Sequence, residues 1–124
     1  MRVLIIDDDE DVVFSLQTIL CAKGVEVVGT GTDGSEAVKL YEELQPDILL
    51  MDIQMKPMNG LDAARTIREM KRRDDMRVPI IAMSANAFAE DIINSQLAGM
   101  NAHLAKPLDA EKMIVALKQC MEDN

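Results

Sequence analysis

Aromatic residues are nearly missing from this 124-residue chain, which has no Trp, one Tyr and two Phe. An aromatic core is therefore excluded, and the interior must be built from Ile, Leu, Val, Ala and Met. Basic charge is also in short supply: 13 Lys and Arg against 22 Asp and Glu leave a net charge of -9. That balance argues against nucleic acid as a direct partner, because phosphate backbones need a basic surface. The one basic run, Lys71-Arg72-Arg73, is followed at once by Asp74-Asp75 and reads as a solvated helix end. Only two cysteines occur, Cys21 and Cys120, far apart and without metal-ligand spacing. Both fall on or beside apolar helical stripes, so buried free thiols in a reducing compartment are expected. With a single His and two distant Cys, the sequence argues against a zinc site as well. No apolar run approaches the length of a membrane span and no signal peptide precedes the first strand. The expectation is a cytoplasmic protein with no membrane partner.

What is present is an apolar fraction of 48%, enough for a packed core in one domain. Strand-like and helix-like segments alternate. Arg2–Ile6 is a nearly continuous apolar run, as a strand buried on both faces should be. A helix over Glu10–Ala22 follows, with Val12, Leu16, Ile19 and Leu20 on one face and Gly24 beyond its end. Val25–Thr30 reads as the second strand. Asp33 to Glu36 has the form of a capping box, with Asp in place of Ser or Thr, and opens a second helix that Pro46 stops. Ile48–Met51 is the third strand, and Asn59 caps a third helix through Leu61, Ala64 and Ile67. Pro79–Met83 is the fourth strand, Phe88–Leu97 the fourth helix and Ala102–Ala105 the fifth strand. Asp109 caps a last helix with a stripe of Met113, Ile114, Leu117 and Met121. Five βα units with short connections predict an α/β fold, a doubly wound parallel sheet covered by helices on both faces. No repeat, linker or low-complexity segment interrupts it. The short tail after the last helix leads us to expect residues 1–124 to be one domain without an effector domain.

The chemistry-bearing residues collect at the C-terminal ends of the predicted strands. Asp7 and Asp8 follow the first, Asp52 the third, Ser84 the fourth, and Lys106-Pro107 the fifth. In an open parallel sheet these ends form one edge, where ligands bind. Clustered carboxylates need a cation, and an ammonium beside them needs an anion, so a divalent metal with a phosphoryl group would satisfy both. A lone carboxylate ending a doubly buried strand would be desolvated, which makes Asp52 the sharpest case. Oxygen-only donors suit Mg²⁺. Asp9, Glu10 and Asp11 read instead as charges at a helix start. Lys106 alone could be a surface lysine and Ser84 alone a helix cap. Together the set suits phosphoryl transfer onto Asp52 as nucleophile, with Lys106 and Ser84 on the phosphoryl oxygens.

These residues resemble the receiver (response regulator) domains of two-component phosphorelays. The resemblance runs from Leu4-Ile5-Ile6-Asp7-Asp8, through Pro46 to Met55, Met58-Asn59-Gly60-Leu61 and Pro79 to Ala87, to Ala98-Gly99-Met100 and on through Leu104-Ala105-Lys106-Pro107. It implies the flavodoxin-like (βα)5 fold with strand order 2-1-3-4-5. It implies that Asp52 is the phosphoacceptor, that Asp8 binds Mg²⁺ directly and Asp7 mainly through water, and that Gln54 gives the metal a backbone carbonyl. Ser84 and Lys106 would contact the phosphoryl group, Ala85 would leave room and an amide for it, and the Lys106-Pro107 bond would be cis. The donor would be a histidine kinase or a histidine phosphotransfer protein. The face formed by helix 4, strand 5 and helix 5 would carry the output to a downstream protein and is a candidate dimer face. Gln54 and Asn86 would flank the attacking water and tune the phosphate lifetime.

Three departures stand out. Lys56, followed by Pro57, takes the place of a frequent Pro after the acceptor; a solvent-facing lysine is expected. Asn59 stands where Asp is common, and both cap helices. His103 occupies the position of the switch residue, usually Tyr or Phe, either as a half-buried cover for strand 5 or as a ring whose rotamer follows Ser84. Two other classes fit the sequence less well. A phosphatase of the haloacid dehalogenase type carries a second Asp two residues after the nucleophile, where this chain has Gln54. A flavin-binding domain shares the topology, but an acidic edge repels a flavin phosphate unless metal is present. A stand-alone regulator and a receiver from a hybrid kinase or a multidomain regulator all fit the sequence.

Overall fold

Each strand is a short aliphatic run, and the computed structural model describes residues 1–70, 78–85 and 89–122. β1 (Arg2–Ile6), β2 (Glu26–Gly31), β3 (Ile48–Asp52), β4 (Ile80–Ser84) and β5 (Ala102–Ala105) alternate with five helices. The helices are α1 (Glu10–Ala22), α2 (Gly34–Leu44), α3 (Gly60–Glu69), α4 (Ala89–Leu97) and α5 (Ala110–Glu122). The strands form one sheet in the order β2-β1-β3-β4-β5, and every pairing is parallel. The doubly wound sheet read from the sequence is therefore present. All residues of β3 and β4 are buried, as strands covered on both faces must be.

Alternate strand positions feed two separate cores. Val3, Ile5, Ile48, Leu50, Ile81 and Met83 pack with Leu16 and Leu20 of α1 and with Met113, Leu117 and Cys120 of α5. Leu4, Ile6, Leu49, Met51, Ile80 and Ala82 pack on the other side with Ala37 and Tyr41 of α2 and with Ala63, Ala64 and Ile67 of α3. Each fully buried aliphatic side chain contributes about 1.5–3 kcal/mol relative to exposure. At the opposite pole from the strand C-termini, the Arg2 guanidinium donates to the carbonyls of Gln45 (2.8 Å) and Leu44 (2.9 Å), satisfying the end of α2.

Several boundaries shift for local reasons. Val25 donates its N–H to Leu20 O (2.9 Å), so it belongs to the exit turn of α1, and β2 starts one residue later than expected. Pro79 has no N–H for the ladder; β4 begins at Ile80 and runs on through Ser84. α2 ends at Leu44 because Gln45 turns left-handed (φ 46°) just before Pro46. The capping box is half formed. Asp33 accepts from Glu36 N (3.0 Å), but Glu36 reaches Thr32 N (3.3 Å) rather than Asp33 N. Cys21 is exposed, contrary to the expected buried thiol, because it lies one helical step past Leu20 and turns away from the sheet; Cys120 is buried. The basic run at Lys71 and the expected start of α4 at Phe88 lie outside the described residues.

Gly60 fixes how closely α3 approaches β3. A Cβ there would overlap the Asp52 carbonyl oxygen and press on Ile53 Cα (2.9 Å), both backbone atoms that cannot step aside. Gly60→Ala should therefore lower stability by about 1–3 kcal/mol, the usual cost of overpacking. Urea unfolding of the variant beside the parent, read as a lower midpoint at an unchanged slope, will check this.

Candidate functional site

The site is assembled where β1, β3, β4 and β5 end. After Ile6 the chain turns: Asp7 N donates to Gly31 O (3.1 Å), and Asp7 Oδ1 accepts from Asp9 N (2.9 Å). This turns Asp7 inward, 1% exposed, and leaves Asp8 exposed. Asp9 caps α1, accepting from Asp11 N (3.0 Å) and Val12 N (3.4 Å), so Asp9, Glu10 and Asp11 are helix-start charges as read. Asp52 is 4% exposed, and its Oδ1 accepts from Gln54 N (3.1 Å).

Lys106 enters from β5. Its backbone N donates to Ser84 O (2.8 Å), and its Nζ lies 2.8 Å from Asp7 Oδ2 and 3.4 Å from Asp52 Oδ2. Carboxylate oxygens of Asp7, Asp8 and Asp52 lie within 4.8 Å of one another. The strand-end reading thus brings these four side chains to one place. Ser84 is fully buried and follows Met83, the neighbour of Asp52 across the sheet. Its hydroxyl is 2.8 Å from His103 Nε2. The Gln54 side chain is exposed, as are Ala85 and Lys56, the last as expected. Lys106-Pro107 is cis, and so is Lys56-Pro57. Asn86 lies outside the described residues. Two supporting residues had no assigned role in the sequence reading: Gly60, visible only as a glycine inside a signature segment, and Asp91, whose charge reaches His103 across the α4–β5 contact.

Burial pushes the Asp52 carboxyl above the usual carboxylate range; the Gln54 amide opposes this, the Asp7 charge adds to it and Lys106 opposes it. For Lys106, burial pulls downward, but the hydrogen bond to Asp7 and the charges of Asp52 and Asp7 outweigh it, and its pKa is raised. The ammonium is therefore firmly charged. Asp7 Oδ2 is a buried oxygen that meets the Lys106 ammonium at 2.8 Å and has no further hydrogen-bond partner. An under-coordinated buried oxygen among three carboxylates is a donor set that fits a hard divalent cation such as Mg²⁺.

The family model described as the response regulator receiver domain matches residues 3–118. This chain belongs to the receiver domains of response regulators. As a receiver domain it is 38% identical to the chemotaxis protein CheY of Thermotoga maritima, over 95% of both chains. It is 34% identical to the transcriptional regulatory protein PrrA of Mycobacterium tuberculosis over 94% of its own length, but spans only 48% of that protein. Among solved structures it superposes on the receiver domain of the sensor histidine kinase PA1611 of Pseudomonas aeruginosa. The TM-score is 0.86 at 32% identity, covering 98% of this chain and 97% of that one. That neighbour holds a magnesium ion in its active-site cleft. Receiver domains are signalling switches of two-component systems. Among the described residues no helix is long and apolar enough to cross a membrane.

Since the folded state holds the Asp52 proton more tightly than the unfolded chain, this carboxylate costs stability as pH rises above the ordinary value of 3.8. Asp52→Asn should therefore raise the thermal midpoint at neutral pH by a few degrees. The gain should fade as pH approaches 3.8, which melts across that range will check.

Proposed function

We propose that Asp52 is the phosphoacceptor of this receiver domain, taking its phosphoryl group from a histidine kinase or a histidine phosphotransfer protein. The observation that carries this reading is the Lys106 ammonium placed between buried Asp7 and Asp52, at 2.8 and 3.4 Å. An Asp52 carboxylate oxygen attacks the phosphorus of the phosphohistidine. A P–O bond forms, the P–N bond breaks, and the imidazole leaves with the bonding electron pair. Lys106 and Ser84 take the peripheral oxygens, and most of the catalysis is positioning at a rigid sheet edge. Asp7, Asp8, Asp52 and the Gln54 carbonyl would hold Mg²⁺, which would neutralise the charge gathered there.

Hydrolysis of the acyl phosphate returns the switch to its starting state, at a rate tuned by Gln54 and Asn86. In this reading the domain catalyses only its own phosphorylation and dephosphorylation. Gln54 lacks the acid that a haloacid dehalogenase-type phosphatase needs at this place. Phosphorylation is read out by a downstream protein, or by a second copy, on the face made by α4, β5 and α5. Support for that face comes from exposed apolar side chains on both helices: Ile93 (54%) and Leu97 (77%) on α4, and Val115 (53%) on α5.

Incubation with acetyl phosphate and Mg²⁺, followed by intact mass, should show a gain of one phosphoryl group that is absent in Asp52→Asn. A gain of equal size in that variant overturns the assignment. Lys106→Met should slow the gain by about 10²-fold, the usual loss on removing one charge-stabilising donor. Replacing Gln54 should change the lifetime of the phosphorylated form without moving the site of modification.

A further inference from the structure

The Ser84 hydroxyl and His103 Nε2 lie 2.8 Å apart. The ring is half-buried, and its other nitrogen, Nδ1, is fully buried with no hydrogen-bond partner. A neutral imidazole carries one N–H and one lone pair, whereas an imidazolium carries two N–H donors. Charging the docked ring would bury a charged donor without an acceptor, which is costly. The docked position therefore fits only the neutral ring. The tautomer with its hydrogen on Nε2 fits best, because it leaves Nδ1 as a lone pair, and a buried orphan donor is worse tolerated than an orphan acceptor. In that tautomer Nε2 donates to Ser84 Oγ, and the hydroxyl keeps its own hydrogen for an acceptor such as a phosphoryl oxygen.

We propose that His103 is a positioning residue for Ser84, and that protonating the ring undocks it, so that acid weakens the coupling between the phosphoryl site and the α4–β5–α5 face. This deepens the phosphoacceptor reading and rests on it. Carboxylates near the ring favour its charged form. Asp91 of α4 attracts an imidazolium, and Asp109 of α5 lines the same cavity, about 280 Å³, as His103, with Lys112 of α5 as the opposing charge. Lys106, on the exit of β5, has its ammonium committed to Asp7 and Asp52. Among the described residues, Asp91 acts on the ring and Asp109 and Lys112 share its cavity. Consistently, burial holds the ring's pKa below its ordinary 6.5 while Asp91 pulls it up. By reciprocity, a ligand that favours the docked ring must lower its pKa further.

His103 is the only histidine, so its imidazole resonances are unambiguous in NMR. We expect a pKa below 6.5 with the hydrogen on Nε2, a rise toward 6.5 in Ser84→Ala, and a further fall when beryllofluoride and Mg²⁺ are added. Hydrogen exchange of α4 amides in the acetyl phosphate-treated protein, normalised to each sample's phosphoryl mass gain, should lose its response in acid with a midpoint at the His103 pKa. In His103→Phe that midpoint should disappear. A pKa of 6.5 unmoved in Ser84→Ala, hydrogen on Nδ1, or the same acid midpoint in His103→Phe would overturn the proposal. Absence of any phosphoryl mass gain would strike the phosphoacceptor reading instead. The titration of the untreated protein and of Ser84→Ala would still decide whether His103 is tied to Ser84.

Discussion

Two carboxylates held almost out of water beside one ammonium are the constraint on which the site depends. Asp7 and Asp52 are 1% and 4% exposed, and Lys106 is the cation they share. Desolvation and mutual repulsion act against both acids, and the ammonium offsets only part of this, since Asp8 adds a third negative charge at the rim. The arrangement persists because the surrounding sheet leaves its members nowhere else to go. β3 and β4 are buried along their whole length, Lys106 N is tied to Ser84 O, and Gly60 lets α3 close directly onto the Asp52 backbone. An excess of negative charge in a rigid cleft favours a divalent cation. In the proposed phosphoacceptor reading, the same cation would make the approach of a phosphoryl group electrostatically tolerable.

Much of this was legible in the sequence because a doubly wound sheet writes itself as aliphatic runs, and a polar residue that ends such a run must lie at the sheet edge. Asp52, Asp7, Ser84 and Lys106 are all residues of this kind. Strand order was different. Nothing in the local pattern distinguishes 2-1-3-4-5 from other right-handed windings, and it came only with the resemblance. Adjacent residues also defeated local reading. Asp7 and Asp8 are chemically identical neighbours, and which one is buried depends on a turn fixed by Gly31 O and Asp9 N, groups supplied by other segments. Cys21 failed for a related reason. One residue along a helix is a turn of about 100°, enough to move a thiol from the core to water. The Ser84–His103 contact was foreseeable as an option only, because it needs the β4–β5 register that places Ser84 beside Ala105.

A new charge at the sheet edge can displace only elements whose alternative positions differ by a few kcal/mol. The strands are excluded by their burial. Within α4 itself Ser95 is the one buried residue, whereas each of the other helices buries two or more. Its trailing end is nonetheless anchored, since Ala98 and Met100 enter the core beside α2 and α3. There Arg68 donates to Gly99 O (2.8 Å), to Val78 O (2.7 Å) and to Asn101 Oδ1 (2.7 Å). Few buried contacts along the helix and a firm anchor behind it leave the leading end of α4 as the least costly part of the sheet's cover to move. That end follows Ser84 in the chain, and Asp91 in its first turn acts on His103. The hydroxyl, the ring and the lightly held helix end are therefore neighbours in one short stretch of the fold, so a change at the proposed phosphoacceptor needs no long path to reach the surface.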